Sequence, residues 1–341
     1  MRRGVFDLLR RGLDNAIANW GLIVIRFVEM IAFAAIAVGS ALAILLPILF
    51  SFGLDETRID SLEQVENVVA LLSEKWVLLI WVFLGISVLM LLFVGLHSVV
   101  AAGCARVAVD AERAAGPFME GPRARYHVFS MARWWRGAKD GWWTVFWIYN
   151  FAWGVAGLIL LVPLLPTLAL TLIFRDEPAV AITSGCLGLA VSVLFMIVVG
   201  VVTGIWTNRA IADWAAEGSG ASASLSGAWR AFKADLGRHV LVAVVMVVIG
   251  IAGASLFSTF SFFAAFGEQL HSTMAVSFFT IPLRFLGTAL NWAFSGFVSS
   301  WMFAAYAALA NESSSGRVTE SSSRTGPGSP VSASATRRLD G

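Results

Sequence analysis

Charge is what this 341-residue sequence has least of: Asp, Glu, Lys and Arg together make up 13% of it. A soluble domain carries about twice that share, so composition alone excludes a water-soluble globule. Cysteine is scarce as well, with Cys104 and Cys186 the two that occur. A bridge between them is not expected, because they belong to opposite halves of different apolar stretches and a disulfide needs Cα atoms within about 7 Å. Four histidines, His97, His127, His239 and His271, are spread over different regions, which argues against a multi-histidine metal centre. Also missing are His-Glu-x-x-His, Gly-x-x-x-x-Gly-Lys-Ser/Thr and Gly-x-Ser-x-Gly, the local marks of zinc hydrolysis, phosphate cradling and a serine nucleophile. The expectation is a non-enzyme without cofactor or metal. Nucleic-acid binding is not expected either, since the basic residues interleave with acids.

What the sequence has in abundance is apolar surface, with 58% hydrophobic residues and a mean hydropathy of +0.79. Six apolar stretches lie at about 20–50, 76–103, 142–174, 179–207, 238–266 and 277–310. Each exceeds the roughly 20 residues that cross a hydrocarbon core. The fold class expected is therefore all-α, a polytopic membrane helix bundle with six transmembrane helices as three hairpins.

Flanking charges orient it. The N-terminal arm, the 104–141 and 208–237 segments and the C-terminal tail hold 4, 7, 3 and 4 Lys/Arg. The intervening segments carry the acids Asp55, Glu56, Asp60, Glu63, Glu66, Glu74, Asp176, Glu177 and Glu268. By the positive-inside rule both termini are expected in the cytoplasm. The opening Met1-Arg2-Arg3 is not read as a secretory signal, because the first apolar stretch is too long for one and carries Arg26 and Glu29.

Before each odd-numbered stretch lies a segment with apolar residues at helical spacing. Leu225, Trp229, Phe232 and Leu236 form one stripe; Val128, Met131, Trp135, Ala138 and Trp142 a second; Phe6, Leu9, Leu13, Ala16 and Trp20 a third. Trp135-Arg136-Gly137-Ala138-Lys139 and Trp229-Arg230-Ala231-Phe232-Lys233 share Trp-Arg-small-x-Lys. Such helices suit the membrane interface, so each hairpin is expected to be preceded by a cytoplasmic amphipathic helix. Its anchors would be Trp20, Trp135, Arg136, Lys139, Trp229, Arg230 and Lys233. The other reading makes these segments the inner ends of long transmembrane helices. The domain expected is 1–310, with repeats at about 1–110, 124–220 and 221–310. The Ser/Gly/Arg-rich 311–341 is expected to be a disordered tail. The acidic 55–74 stretch reads as a solvated face rather than a calcium loop, because it lacks the ligand spacing of one.

Ionisable residues inside apolar stretches are the best pointers to a site, since each costs about 2.5 to 3.5 kcal/mol at a helix centre. Arg26 and Glu29, three apart on the first stretch, and His97 in the second form the candidate intramembrane polar site, with Asn150 and Asn291 as weaker members. They could relay a proton or hold a polar substrate. Alternatively Arg26, six residues beyond Trp20, reaches up to lipid phosphate from the interface. Gly200 and Gly204 form Gly-x-x-x-Gly, a close-packing signal inside a bundle that also leaves a homo-oligomer open.

The string Ser224-Leu225-Ser226-Gly227-Ala228-Trp229-Arg230-Ala231-Phe232-Lys233 followed by a hairpin resembles the bacterial membrane domain found alone or fused to glycerophosphoryl diester phosphodiesterases. The resemblance implies a six-helix core in a bacterial inner membrane. It transfers no catalytic residue, because in fused members hydrolysis belongs to a soluble barrel with no counterpart here. The function expected is non-catalytic: organising bilayer lipids, or membrane or cytoplasmic protein partners, at the cytoplasmic face. The alternative is a permease-like transport subunit served by a separate energising protein, and a lipid-acting intramembrane enzyme comes third. A continuous polar cavity through Glu29, His97, Asn150 or Asn291 would favour transport or catalysis; an apolar, alanine-filled bundle would favour organisation.

Overall fold

The computed structural model describes residues 3–52, 76–116, 123–174, 177–270 and 274–324. The acidic 55–74 stretch and the tail beyond Arg324 lie outside the described residues. Among the described residues eight α-helices follow in order: α1 Val5–Ala18, α2 Gly21–Phe52, α3 Trp76–Ala115, α4 Met131–Ile173, α5 Pro178–Glu217, α6 Ala221–Ala234, α7 Leu236–Leu270 and α8 Met274–Arg324. A 3-10 turn covers Arg123–Tyr126, and no strand occurs among the described residues. Six helices among the described residues, α2, α3, α4, α5, α7 and α8, are long and apolar enough to cross a membrane. The N-terminal ends of α2, α4 and α7 and the C-terminal ends of α3, α5 and α8 share the buried clusters with α1 and α6, and this end is here called the basic end.

Local chemistry sets the boundaries. Ser130 opens α4 by accepting the Arg133 backbone N–H on its hydroxyl at 3.2 Å, the usual device for an orphan first-turn donor. Both α3 and α5 stop at a left-handed glycine, Gly116 (φ 74°) and Gly218 (φ 70°), where a side chain would be strained. Asn19 terminates α1 and ties down the loop before α4. Its Nδ2 donates to the Asn15 and Tyr126 carbonyls at 3.0 and 2.8 Å, and its Oδ1 accepts from the backbone N–H groups of Val128 and Phe129 at 3.0 and 2.9 Å.

Burial is concentrated at the basic end. There, Ala101, Ala105 and Ala108 of α3 meet Val145 and Ile148 of α4, Ala210 and Ile211 of α5, and Ala304 and Ala307 of α8. Small side chains let helix backbones approach, which is what holds helices together in lipid. Toward the opposite end the same helices turn apolar side chains outward, among them Leu42, Leu84, Leu165, Leu187, Ile251 and Phe285. Packing does not divide into three self-contained pairs. The most extensive contact joins α3 to α4, while α2 lies against both α3 and α8. The α3–α4 approach is close because Gly103 lies under Trp134 and Gly137 under Arg106.

The three amphipathic segments differ from one another. The first and third are separate helices, α1 and α6, of 14 residues each. The second is the opening of α4, which runs unbroken from Met131 to Ile173; no proline interrupts it before Pro163, and Gly137 and Gly141 in this opening are contact points for Arg106 and Trp214. Nor does the whole apolar stripe of the first segment lie outward: Phe6 and Trp20 are exposed, but Leu9 and Ala16 are buried, and Leu8 and Leu9 pack with Ala305, Ala308 and Leu309 of α8. Trp301 of α8 donates its indole N–H to the Leu9 carbonyl at 2.7 Å. Trp206 of α5 makes the same bond to Leu225 of α6 at 2.8 Å, and Leu9 and Leu225 each belong to the apolar stripe of their segment. Finally, α8 continues through Asn311, where the composition turns polar, to Arg324. Glu312 binds it there, accepting from Arg238 Nη2 at 2.7 Å and from the Arg3 backbone N–H at 2.8 Å.

The α1–α8 seam depends on Gly12, where an added Cβ would stand 2.8 Å from the Ala305 backbone nitrogen. Gly12→Ala should therefore destabilise the protein by about 1–3 kcal/mol, as overpacking does, lowering the thermal unfolding midpoint in detergent. An unchanged midpoint would show that α1 is not seated as described.

Candidate functional site

Four helices converge on the polar cluster. α2 supplies Arg26 and Glu29 one turn apart, and α3 supplies His97. Glu29 accepts on both oxygens: from Arg26 Nη1 to Oε2 at 2.7 Å, and from His97 Nδ1 to Oε1 at 2.7 Å. The proton on Nδ1 is assigned from this bond rather than observed. Tyr149 of α4 lies against the imidazole, with ring centres 4.9 Å apart. From α8, Phe303 covers the guanidinium, its ring centre 4.9 Å from Cζ. Arg26 is 1% exposed and Glu29 2%, whereas the His97 side chain is 34% exposed and forms the outlet of the cluster.

Arg26 thus does not reach the surface, contrary to the interfacial reading. About 9 Å of helix separates it from Trp20, but α8 closes over it, because Gly296 allows backbone approach. A Cβ there would sit 3.0 Å from Arg26 Cβ and 3.2 Å from the Ile23 carbonyl. Nε and Nη2 of Arg26 meet no hydrogen-bond acceptor among the described residues, and the Phe303 face takes part of that duty. The arrangement is an internal, charge-compensated knot: both carboxylate oxygens are engaged, and the opposite charges of Arg26 and Glu29 cancel. Among the described residues no group of His, Cys, Asp and Glu is placed to hold a metal ion.

The other candidates fall elsewhere. Asn150 donates to the Phe146 carbonyl of its own helix at 2.8 Å, which occupies it structurally. Asn291 Oδ1 is buried and meets no donor among the described residues. The interfacial anchors are all outward: Trp20, Trp135 and Trp229 are 64%, 57% and 39% exposed, and Arg136, Lys139, Arg230 and Lys233 are exposed too. Adjacent Trp134 is instead buried beside Cys104. Both thiols, buried Cys104 and exposed Cys186, are free.

Further ionic knots at the basic end were not singled out from sequence. Glu112 of α3 receives Arg11 (Nη2, 2.7 Å) and Arg3 (Nη1, 3.1 Å) on one oxygen. Arg11 also lies over the Tyr126 ring at 5.5 Å. Burial, reinforced by the Glu112 carboxylate, holds the Tyr126 phenol above the ordinary tyrosine value. On α5, Arg209 Nη2 pairs with Asp213 at 3.0 Å, and Nη1 lies 3.5 Å from His239 Nε2 of α7. Arg106 donates to the Ala215 carbonyl at 2.8 Å, and Arg113 donates to that of Ala216, closing the end of α5 where carbonyls lack helix partners. A signal existed: Arg106-x-x-x-Asp110 and Arg209-x-x-x-Asp213 place the same pair at the ends of α3 and α5.

No family model, curated protein or solved structure matches this chain. The resemblance carried by residues 224–233 therefore rests on that string alone.

If Glu29 is the counter-charge that keeps Arg26 buried, Glu29→Ala should cost about 3–5 kcal/mol, the penalty of an uncompensated buried charge. The pair Arg26→Met with Glu29→Leu should recover most of it. Thermal unfolding of the purified variants checks this; equal losses for the single and double variants would contradict the knot.

Proposed function

We propose that the protein is a non-catalytic organiser of anionic lipids at the cytoplasmic leaflet of a bacterial inner membrane. Its three amphipathic segments would present tryptophan and basic side chains to the interface. The observation that carries the reading is the outward set at the basic end: Trp135 and Trp229 exposed, with Arg136, Lys139, Arg230 and Lys233 exposed beside them. Indole rings prefer the headgroup level, and each Lys or Arg near an anionic leaflet contributes about 1 kcal/mol of attraction. Tyr149 lies against His97 from α4, and Trp206 bonds α6 at Leu225, so the rim keeps its spacing.

The transport alternative receives less support. Glu29 is engaged on both oxygens and Asn150 bonds its own helix, so these groups are used within the bundle. The alanine-rich core supports organisation over conduction.

Replacing Arg136, Lys139, Arg230 and Lys233 together by Gln should lower the share of anionic phospholipid retained through purification toward that of the bulk membrane. Lipid mass spectrometry of the purified protein reads this. An unchanged share would refute the proposal, and copurification of an ATPase would point to the transport subunit instead.

A further inference from the structure

Between α4, α5 and α6 lies an apolar groove of about 700 Å³. Phe151 and Ile159 mark its extent on α4, Val199 and Val202 form the wall on α5, and Trp206 and Trp229 close its end. The stretches Phe151–Ile159 and Val198–Trp206 each run about 12 Å along their helices. Phe151 and Ile159 are 50% and 41% exposed, so the groove faces outward. Both walls belong to helices apolar enough to span a membrane, which makes its surroundings hydrocarbon rather than water.

The chain supplies its own comparison. Trp206 and Trp301 make the same indole bond to a short helix. Seven and four residues before Trp301 stand Phe294 and Phe297; seven and four before Trp206 stand Val199 and Val202. Phe297 rests on Trp301 at 5.7 Å between ring centres, and Phe294 meets Phe297 at 6.1 Å and Phe257 of α7 at 5.6 Å. Beside Trp301 the space is filled by phenyl rings of the chain itself. Beside Trp206 two valines leave it open.

Charge marks one end. Ser222, Ser226 and Trp229 line the groove from α6, and Lys233 continues the same helix face at the next turn. Its Nζ lies 5.9 Å from the Trp229 ring centre, and exposed Arg230 adjoins it. No acid lines the groove.

We propose that this groove seats one acyl chain of an anionic phospholipid, the tail along Val199 and Val202 and the phosphate at Lys233. The proposal rests on the lipid-organising reading and narrows it to one bound molecule. The tail takes the place that Phe294 and Phe297 take in the other pair. Apolar burial holds it along the groove, while the cationic end selects the headgroup.

The test uses the full chain in phosphatidylcholine vesicles carrying a phosphatidylglycerol with a photoreactive diazirine in its tail. Crosslinked peptides are mapped by mass spectrometry. The expected result is labelling of 151–159 and 198–206 above that of exposed faces such as 84–92 and 187–194. Val199→Phe with Val202→Phe, which copies the filled arrangement, should bring the groove down to the level of those faces. Lys233→Gln should abolish the preference for this probe over a phosphatidylcholine probe of the same tail.

Undiminished groove labelling in the filled variant overturns the proposal, as does equal labelling by the phosphatidylcholine probe in the unmodified chain. Bulk retention of anionic lipid on the rim variant is a separate readout. Its failure with selective groove labelling intact would sink the broader reading alone, and the reverse outcome would sink only the groove.

Discussion

The buried charges at the basic end must be closed by partners, and the rest of the structure depends on how this is done. A charge taken out of water costs several kcal/mol unless it is paired, and a helix in hydrocarbon cannot hand its charges back to solvent from mid-depth. Glu112 is balanced once Arg11 of α1 and Arg3 just before it reach it; Arg26 is balanced by Glu29, which α3 then engages through His97. Apolar faces in lipid specify little, because acyl chains are as good a neighbour as leucine. The ion pairs and the amide bonds of Asn15 and Asn19 have discrete partners and so define which helix lies beside which, and at what height.

From this constraint follows an asymmetry along the membrane normal. At the basic end, alanine and glycine bring backbones together, arginines close carbonyl ends, and tryptophans pin α1 and α6 to α8 and α5. Toward the other end the helices meet with few buried residues and turn most of their apolar surface outward. A rigid end bearing outward indoles and cations, with a groove open at its flank, is the geometry on which the lipid-organising proposal stands. The less braced end is free to follow bilayer thickness by tilting.

The sequence made the spans legible, because twenty or more apolar residues admit few other readings, and the six stretches coincide with six long helices. It also singled out Arg26, Glu29 and His97, since charges are conspicuous against such a background. What it could not show is depth and company. Whether Arg26 surfaces or is roofed depends on Phe303 and Gly296, far along the chain. Nothing in the sequence around Glu112 and Asp213 marks them as buried, because their burial comes from α1 and from the α5–α7 contact. Of the adjacent Trp134 and Trp135, periodicity chose the outward one for the stripe, but only the Gly103 contact explains why Trp134 goes in. The segment before the third span carried the same stripe as the other two, yet lacks a break like those at Asn19 and Asp235, and so became part of α4. The groove was invisible in the same way: two valines differ from two phenylalanines only once both are seen beside their tryptophans.

The most direct test of a braced basic end and an unbraced opposite end is pulsed electron paramagnetic resonance on spin-label pairs. One pair would join Arg10 of α1 to Arg230 of α6, the other Val38 of α2 to Leu168 of α4, all exposed positions. The account predicts a single narrow distance for the first pair, unchanged between detergent and bilayer, and a broad, environment-dependent one for the second. A broad distribution for the first pair, or equally narrow ones for both, would contradict it.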